Sequence, residues 1–460
     1  MSALVRHLTD TIRMTGPVSV ATYMKHALVH PLGGYYTTKP SIQSGLLADS
    51  PPKGDFITSP EISQIFGELM ALWVLLQHRQ SPQSLKRFQL VELGPGRGTL
   101  MSDMLRTLAQ YPDVHSSISR ICLVEASEEL AAVQKSELQK YAKPVSHYEL
   151  LGEIPSGPSV FIAHEFYDAL PVYVFQYDNN QWREVLVDIV HNDDLEDAAK
   201  AVKPAESSNG VSEEVMEQAG ENCITSEKDA VSEEGIEQVG ENCIKSEKDA
   251  DKSLVSREMT STPGFRYVLS RTETPASRSL AHIYSDPHYK SMCKQGMRLE
   301  ICPEAWSTTQ FIAKRIRDEG GMALIADYGQ DSPADGMTLR GIKGHKWVDI
   351  LATEPGTCDI TADVDFSLIR RAGLGFVDTY GPMDQAAFLD AMGISARLKM
   401  LLDMSGVNEK QKRTLVDGVN RLISTEPGGM GKLYKFLAMM PKEVPASSPY
   451  PFCEALEKVE

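Results

Sequence analysis

Four short apolar runs recur along this 460-residue chain: FQLVEL (88–93), ICLVEA (121–126), PSVFIAHEF (158–166) and MALIADYG (322–329). Runs of this length and composition read as strands buried on both faces, which is how parallel strands look in sequence. Helical stretches separate them, so the pattern predicts βαβ units and a doubly wound α/β sheet. WREVLVDIV (182–190) and FRYVLS (265–270) read as neighbouring antiparallel strands. GFVDTYG (375–381) and LYKFLAMM (433–440) are further strand candidates, with a helical stretch over 384–424 between them.

The N-terminal part reads as helical. Ser19 is placed to cap a short helix through Tyr23, Met24 and Leu28. SPEISQIFGELMALWVLLQH reads as one longer helix, with Ser59 as cap, Pro60 at the first position and Glu61 near the positive end of the dipole. Its apolar residues, from Ile62 to Val74, recur at helical spacing and predict core packing.

Charge divides the chain. The net charge is −17, yet residues 191–260 hold 19 acidic and 7 basic side chains, leaving 44 and 39 for the other 390 residues. Within that acidic stretch, 211–230 and 231–250 are copies of one 20-residue unit differing at four positions. Two copies poor in large apolar residues are too little for a solenoid, and the segment reads as a solvated insertion in a hairpin loop. The near-balanced remainder offers no electrostatic case for nucleic-acid binding. Seven cysteines without a C-x-x-C do not form a disulfide framework, and reduced thiols are expected. The longest apolar run, near Leu69–Leu76, is far below the ~20 residues of a membrane span, so an integral membrane protein is not expected. The N-terminus shows neither a secretory signal nor a clear presequence.

The sharpest chemical feature is LVELGPGRGTL (90–100), where a strand ends in Glu92 and Gly94, Gly96 and Gly98 follow at alternate positions before a helix. Glycines there allow close backbone approach to a ligand, and the helix start offers free N–H groups. Arg97 precedes Gly98-Thr99 where a P-loop would need a lysine beside the threonine, and the spacing is not G-x-G-x-x-G. A purely structural turn remains open from the loop alone. Glu125, ending the next strand, is placed to accept ribose hydroxyls. AHEFYDALPV follows a third strand; Asp168 stands where H-E-x-x-H would have its second histidine, so no metal site is expected there. Ligands of doubly wound sheets lie beyond the carboxyl ends of the strands, which puts His164, Glu165 and Asp168 beside the reacting group.

E-x-G-x-G-x-G resembles motif I of class I S-adenosylmethionine-dependent methyltransferases. GPVSVATYM, GDFITSPEISQIFGE (54–68), LVELGPGRGTL, AHEFYDALPV, ADYG (326–329), DITADVDF (359–366) and GMGKLYKFLAM occur in one order. Together they resemble the MidA-type family, which comprises mitochondrial complex I assembly factors acting as protein arginine methyltransferases and their bacterial relatives. The resemblance covers about 1–190 and 260–440; the duplicated acidic insertion and the missing presequence depart from it. It implies a Rossmann-like, seven-strand class I methyltransferase sheet with an antiparallel final strand, and S-adenosyl-L-methionine as cofactor. It also implies symmetric dimethylation of an arginine in the 49-kDa-type subunit of complex I in the mitochondrial matrix. A non-catalytic escort that keeps the cofactor is the alternative.

The organisation expected is a helical or lid region over 1–80, a catalytic domain over 81–190 and 260–440, the insertion at 191–259 and a tail at 441–460. By motif, Glu92, Gly94, Gly96, Gly98 and Glu125 carry over to cofactor contacts, with His164 beside them. Glu165 carries over only to the position bordering methyl transfer. Guanidinium is a poor nucleophile because its charge is delocalised, and a carboxylate fork can localise it. Glu165 is the first candidate for that fork, with Asp168, Asp55 and Glu61 as partners.

Overall fold

The structure is a computed structural model that describes residues 1–38, 57–80, 85–190, 264–280, 293–334, 336–442 and 448–452. The duplicated acidic segment, and with it the expected insertion at 191–259, lies outside the described residues. Ser2–Asp188 and Phe265–Glu460 form one compact unit.

Its centre is a sheet of seven strands, labelled here β1 (Phe88–Leu93), β2 (Ile118–Val124), β3 (Val145–Tyr148), β4 (Ser159–His164), β5 (Gly321–Gln330), β6 (Val377–Asp384) and β7 (Tyr434–Pro441). Their spatial order is 3-2-1-4-5-7-6, with a two-residue strand, Val364–Asp365, added beside β5. β1 through β5 run parallel, while β7 lies antiparallel between β5 and β6. This is the doubly wound sheet with an antiparallel last strand that the resemblance implied.

The four apolar runs became β1, β2, β4 and β5 because both faces of the sheet are covered. Along β5, Met322, Leu324 and Ala326 enter one core while Ala323 and Ile325 enter the other. The first core packs against the helices Gln64–Gln80 and Thr99–Leu108, the second against Pro303–Glu319 and Phe366–Gly373. Truncating a fully buried residue such as Leu324 to alanine would cost about 2–5 kcal/mol.

A second sheet orders Val18–Ser19, Gln181–Ile189, Tyr173–Asp178 and Arg298–Ile301, and Phe265–Leu269 also pairs with Gln181–Ile189. The pairing expected of 182–190 with 265–270 is therefore present. The helical stretch expected over 384–424 consists of three helices, Gln385–Ala391, Ile394–Leu402 and Glu409–Ile423.

The long N-terminal helix is also interrupted. Ser59–Ile62 forms one turn, with Thr58 at the cap position instead of Ser59. Ser63 is extended, and its hydroxyl accepts from the Ile65 N–H at 3.3 Å to start the helix Gln64–Gln80. That break separates two tasks: the long helix buries Ile65, Phe66, Leu69 and Trp73 in the core, while Pro60 and Glu61 face a cavity. Glu68 fastens the long helix, accepting from Arg397 at 2.6 and 3.1 Å and from Arg106 at 3.1 Å. Among the described residues, no helix is long and apolar enough to cross a membrane.

Candidate active site

The carboxyl ends of β1, β2 and β4 open into a cavity of about 710 Å³. Glu92, Gly94 and Gly96 line it from β1, Glu125 from β2, and His164 and Glu165 from β4. Lys25, Leu28, Tyr36, Pro60 and Glu61 supply a wall from the N-terminal region. Tyr36 is anchored there by donating to Asp359 Oδ1 at 2.8 Å.

The glycines of the loop adopt left-handed backbone, with φ of 61° at Gly94, 52° at Gly96 and 80° at Gly98. A Cβ on Gly94 would stand 3.1 Å from the Phe166 ring, so that position also demands a residue without a side chain. A Cβ on Gly96 would meet nothing within 4 Å. Gly98 caps the helix Thr99–Leu108 without a side chain of its own. The helix start is thereby left able to hold an electron-rich group through its backbone N–H groups.

Gln134 ties the loop to Glu125. Its Nε2 donates to the Gly96 carbonyl at 2.7 Å and to Glu125 Oε2 at 3.1 Å, and its Oε1 pairs with His147 Nε2 at 3.1 Å. Glu125 Oε1 accepts from the Ser127 N–H at 2.8 Å. Each carboxylate oxygen has two acceptor directions, so Glu125 keeps capacity for a pair of hydroxyls.

Glu92 is 3% exposed and its Oε2 has no partner. Burial alone pushes its carboxyl up to about 8. A buried acceptor without a donor is costly, and a ligand bearing a cationic or N–H group would satisfy it. The residues present therefore fit an adenosyl amino acid: backbone-lined loop, ribose acceptor, and an acidic group with an open oxygen.

Glu165 ends β4 with φ of 48°, an unusual conformation for a residue with a side chain and one that clusters at functional sites. Its N–H donates to the Ala326 carbonyl at 3.0 Å, and the Tyr434 hydroxyl donates to its Oε1 at 2.9 Å. His164 Nε2 lies 3.6 Å from the same oxygen. Burial, then the charge of Asp168, pushes the Glu165 carboxyl up to about 8, while burial holds the His164 imidazole down to about 3. His164 is thus a neutral ring. Glu61 is also raised by burial, opposed by a hydrogen bond at Thr58 and by the Arg97 charge.

Two of the expected carboxylates are not among those lining the cavity, for different reasons. Asp55 lies outside the described residues. Asp168 is 8% exposed and does not line the cavity. Its Oδ2 accepts from the Tyr328 hydroxyl at 2.5 Å and from Thr361 Oγ1 at 2.8 Å, two residues of the ADYG and DITADVDF motifs. With Oδ2 so engaged and Oδ1 buried without a partner, it works as a buried brace between the two motifs. Asp327 completes the brace by accepting from the N–H groups of Tyr167 and Asp168 at 3.0 and 3.3 Å. Gln134, Tyr36 and Tyr434 were not singled out from sequence; a lone glutamine or tyrosine carries no spacing signal.

A family model described as a putative S-adenosyl-L-methionine-dependent methyltransferase matches residues 69–383. The mouse protein arginine methyltransferase NDUFAF7, mitochondrial, is 36% identical across 96% of this chain and 85% of its own length. The human protein of the same name is 35% identical over 96% and 84%. A Burkholderia thailandensis likely methyl transferase, crystallised with S-adenosyl-homocysteine, superposes with a TM-score of 0.64 at 22% identity. That match covers 95% of this chain and 92% of the other, and it supports the fold.

Proposed function

The chain belongs to the family of S-adenosyl-L-methionine-dependent methyltransferases, and we propose that it methylates arginine side chains of a mitochondrial protein. The substrate we infer is an arginine of the 49-kDa-type subunit of complex I, with symmetric dimethylarginine as the product. The relatives' names, which give both the arginine activity and the mitochondrion, support this reading.

The observation that carries it is Glu165. Its carboxyl is nearly buried at the end of β4, faces the cavity, and receives hydrogen bonds from neutral donors, the Tyr434 hydroxyl and the Ser59 backbone N–H. An ionised Glu165 therefore has charge left for a cationic ligand to balance. Glu61 lies near enough for its charge to raise Glu165 further, so two carboxyls can face one planar guanidinium.

S-adenosyl-L-methionine supplies, when bound, an electrophilic methyl group on a sulfonium. Gly94, Gly96, Glu92 and Glu125 would hold it, with Gly98 shaping the loop and helix start behind them and His164 as a neutral, unprotonated neighbour. Glu165 and Glu61 would accept hydrogen bonds from the guanidinium, drawing its positive charge toward two of its nitrogens. The third nitrogen then regains lone-pair character and becomes the nucleophile, and Glu165 is placed to take the proton released on methylation. Leu28 and Pro60 make part of the wall apolar, which lowers the local polarity around these carboxyls and strengthens charge pairing.

The test is mass spectrometry of the 49-kDa-type subunit after incubation with the full chain and S-adenosyl-L-methionine. Methylated arginine is the expected result. Unmodified arginine together with undiminished cofactor binding would establish the escort role instead.

A further inference from the structure

Outside the methyl-transfer cavity, two N-terminal helices bring three imidazoles together. His7 lies on the helix Ala3–Thr15; His26 lies on Val20–Val29, and His30, four residues later, ends that helix. The ring centroids are 5.2 Å apart for His7 and His26, 4.5 Å for His7 and His30, and 4.9 Å for His26 and His30. One nitrogen from each ring falls within 4.8 Å of the other two, and all three side chains are half-buried.

This is an expensive arrangement without a ligand. Three groups that can each take a proton face one another, and His26 Nδ1 is buried with no hydrogen-bond partner. Two histidines four residues apart on one helical face, joined by a third from a packed neighbour, are a donor set suited to a borderline metal ion. Among the described residues no carboxylate belongs to the cluster, and an all-imidazole set suits a borderline ion better than calcium or magnesium.

We propose that His7, His26 and His30 form a binding site for a divalent zinc-class ion, with solvent in the fourth position. Binding would cost His30 the bond its Nδ1 accepts from the Leu32 N–H at 3.1 Å, an exposed group that water can satisfy. The site is structural in consequence. It would pin the helix Ala3–Thr15 to Val20–Val29, whose other residues Lys25, Leu28 and Val29 line the cavity. The ion is distant in role from methyl transfer, so nothing in the proposed arginine chemistry depends on it.

The experiment uses the full chain without a histidine tag, stripped with chelator and titrated calorimetrically with zinc. One ion per chain is expected, with binding at least about tenfold weaker in both His7→Ala and His26→Ala. Zinc should raise the melting temperature of the parent chain and leave that of the variants unchanged. Binding of S-adenosyl-homocysteine by the metal-free variants reports that they are folded, and His30→Asn serves where an alanine variant is not. Cobalt should give the parent chain an intense visible absorption of four-coordinate character that the variants lack. Equal zinc affinity in parent and variants, or no zinc binding by the parent, would overturn the proposal.

Discussion

Glu165→Gln preserves the shape of the side chain and an acceptor for the Tyr434 hydroxyl, but it removes the charge. In the free protein the Glu165 carboxyl is pushed up to about 8, so at pH 7 it is mostly protonated and ionising it costs about 1.4 kcal/mol. A guanidinium entering the cavity must offset that cost. Two charge-assisted hydrogen bonds contribute roughly 3–6 kcal/mol. After the ionisation cost, about 1.6–4.6 kcal/mol remain, so kcat/KM for an arginine peptide should fall about 15- to 2,000-fold in the variant. The sign with pH follows from the same group: below about 8 the parent carboxyl takes up a proton and loses its grip. Parent kcat/KM should therefore drop by up to about tenfold per pH unit from pH 8 to 6, while the variant stays low and flat. The assay is peptide methylation over pH 6–9 at saturating cofactor, because Glu92 titrates in the same range. A variant within twofold of the parent at every pH, with unchanged cofactor affinity, would refute this role for Glu165.

Three further outcomes are expected. Burial raises the Glu92 carboxyl from 4.5 to about 8, so the stability of the folded state is full below about 4.5 and is lost as pH rises toward about 8. Glu92→Gln escapes that loss, and its melting temperature relative to the parent should climb between pH 5 and 8; a constant difference would contradict the burial argument. Gly94→Ala must hold φ of 61° and press a methyl to 3.1 Å from Phe166. Strain of roughly 1–2 kcal/mol should lower the melting temperature by a few degrees, and calorimetry should show weakened S-adenosyl-homocysteine binding. Glu68→Ala leaves Arg106 and Arg397 without their shared carboxylate, which is itself only 5% exposed. Because the arginines are 42% and 30% exposed, the loss should sit near the low end for a broken buried pair, about 3 kcal/mol by urea unfolding.

The parts of the fold legible in sequence were those with a local signature. β1, β2, β4 and β5 are covered on both faces, which forces continuous apolar runs, and the loop needs glycine wherever φ is positive. Asp168 shows the limit of such reading. It follows Glu165 by only three residues and looks equally available, yet the turn after β4 sends it inward to Tyr328 and Thr361, some 160 and 193 positions away. Nothing local announces those partners. The break at Ser63 is similar, because the apolar spacing continues across it and only tertiary packing of Pro60 and Glu61 toward the cavity stops the helix. The first helix, Ala3–Thr15, was legible too, since Leu4, Val5, Leu8 and Ile12 recur at helical spacing on one face. His7, and with it the imidazole cluster, had no partner visible until that helix was placed beside the next.

β7 has a consequence for the order in which this protein is made. It slots between β5 and β6, and Tyr434, its first residue, is the donor that Glu165 depends on. A nascent chain that has reached only residue 433 holds every glycine and acidic residue of the pocket. It nevertheless lacks the strand that joins the two parts of the sheet and the hydroxyl that orients the key carboxylate. A chain stopped there would thus present Glu165 without its tyrosine donor and β6 without its neighbour in the sheet.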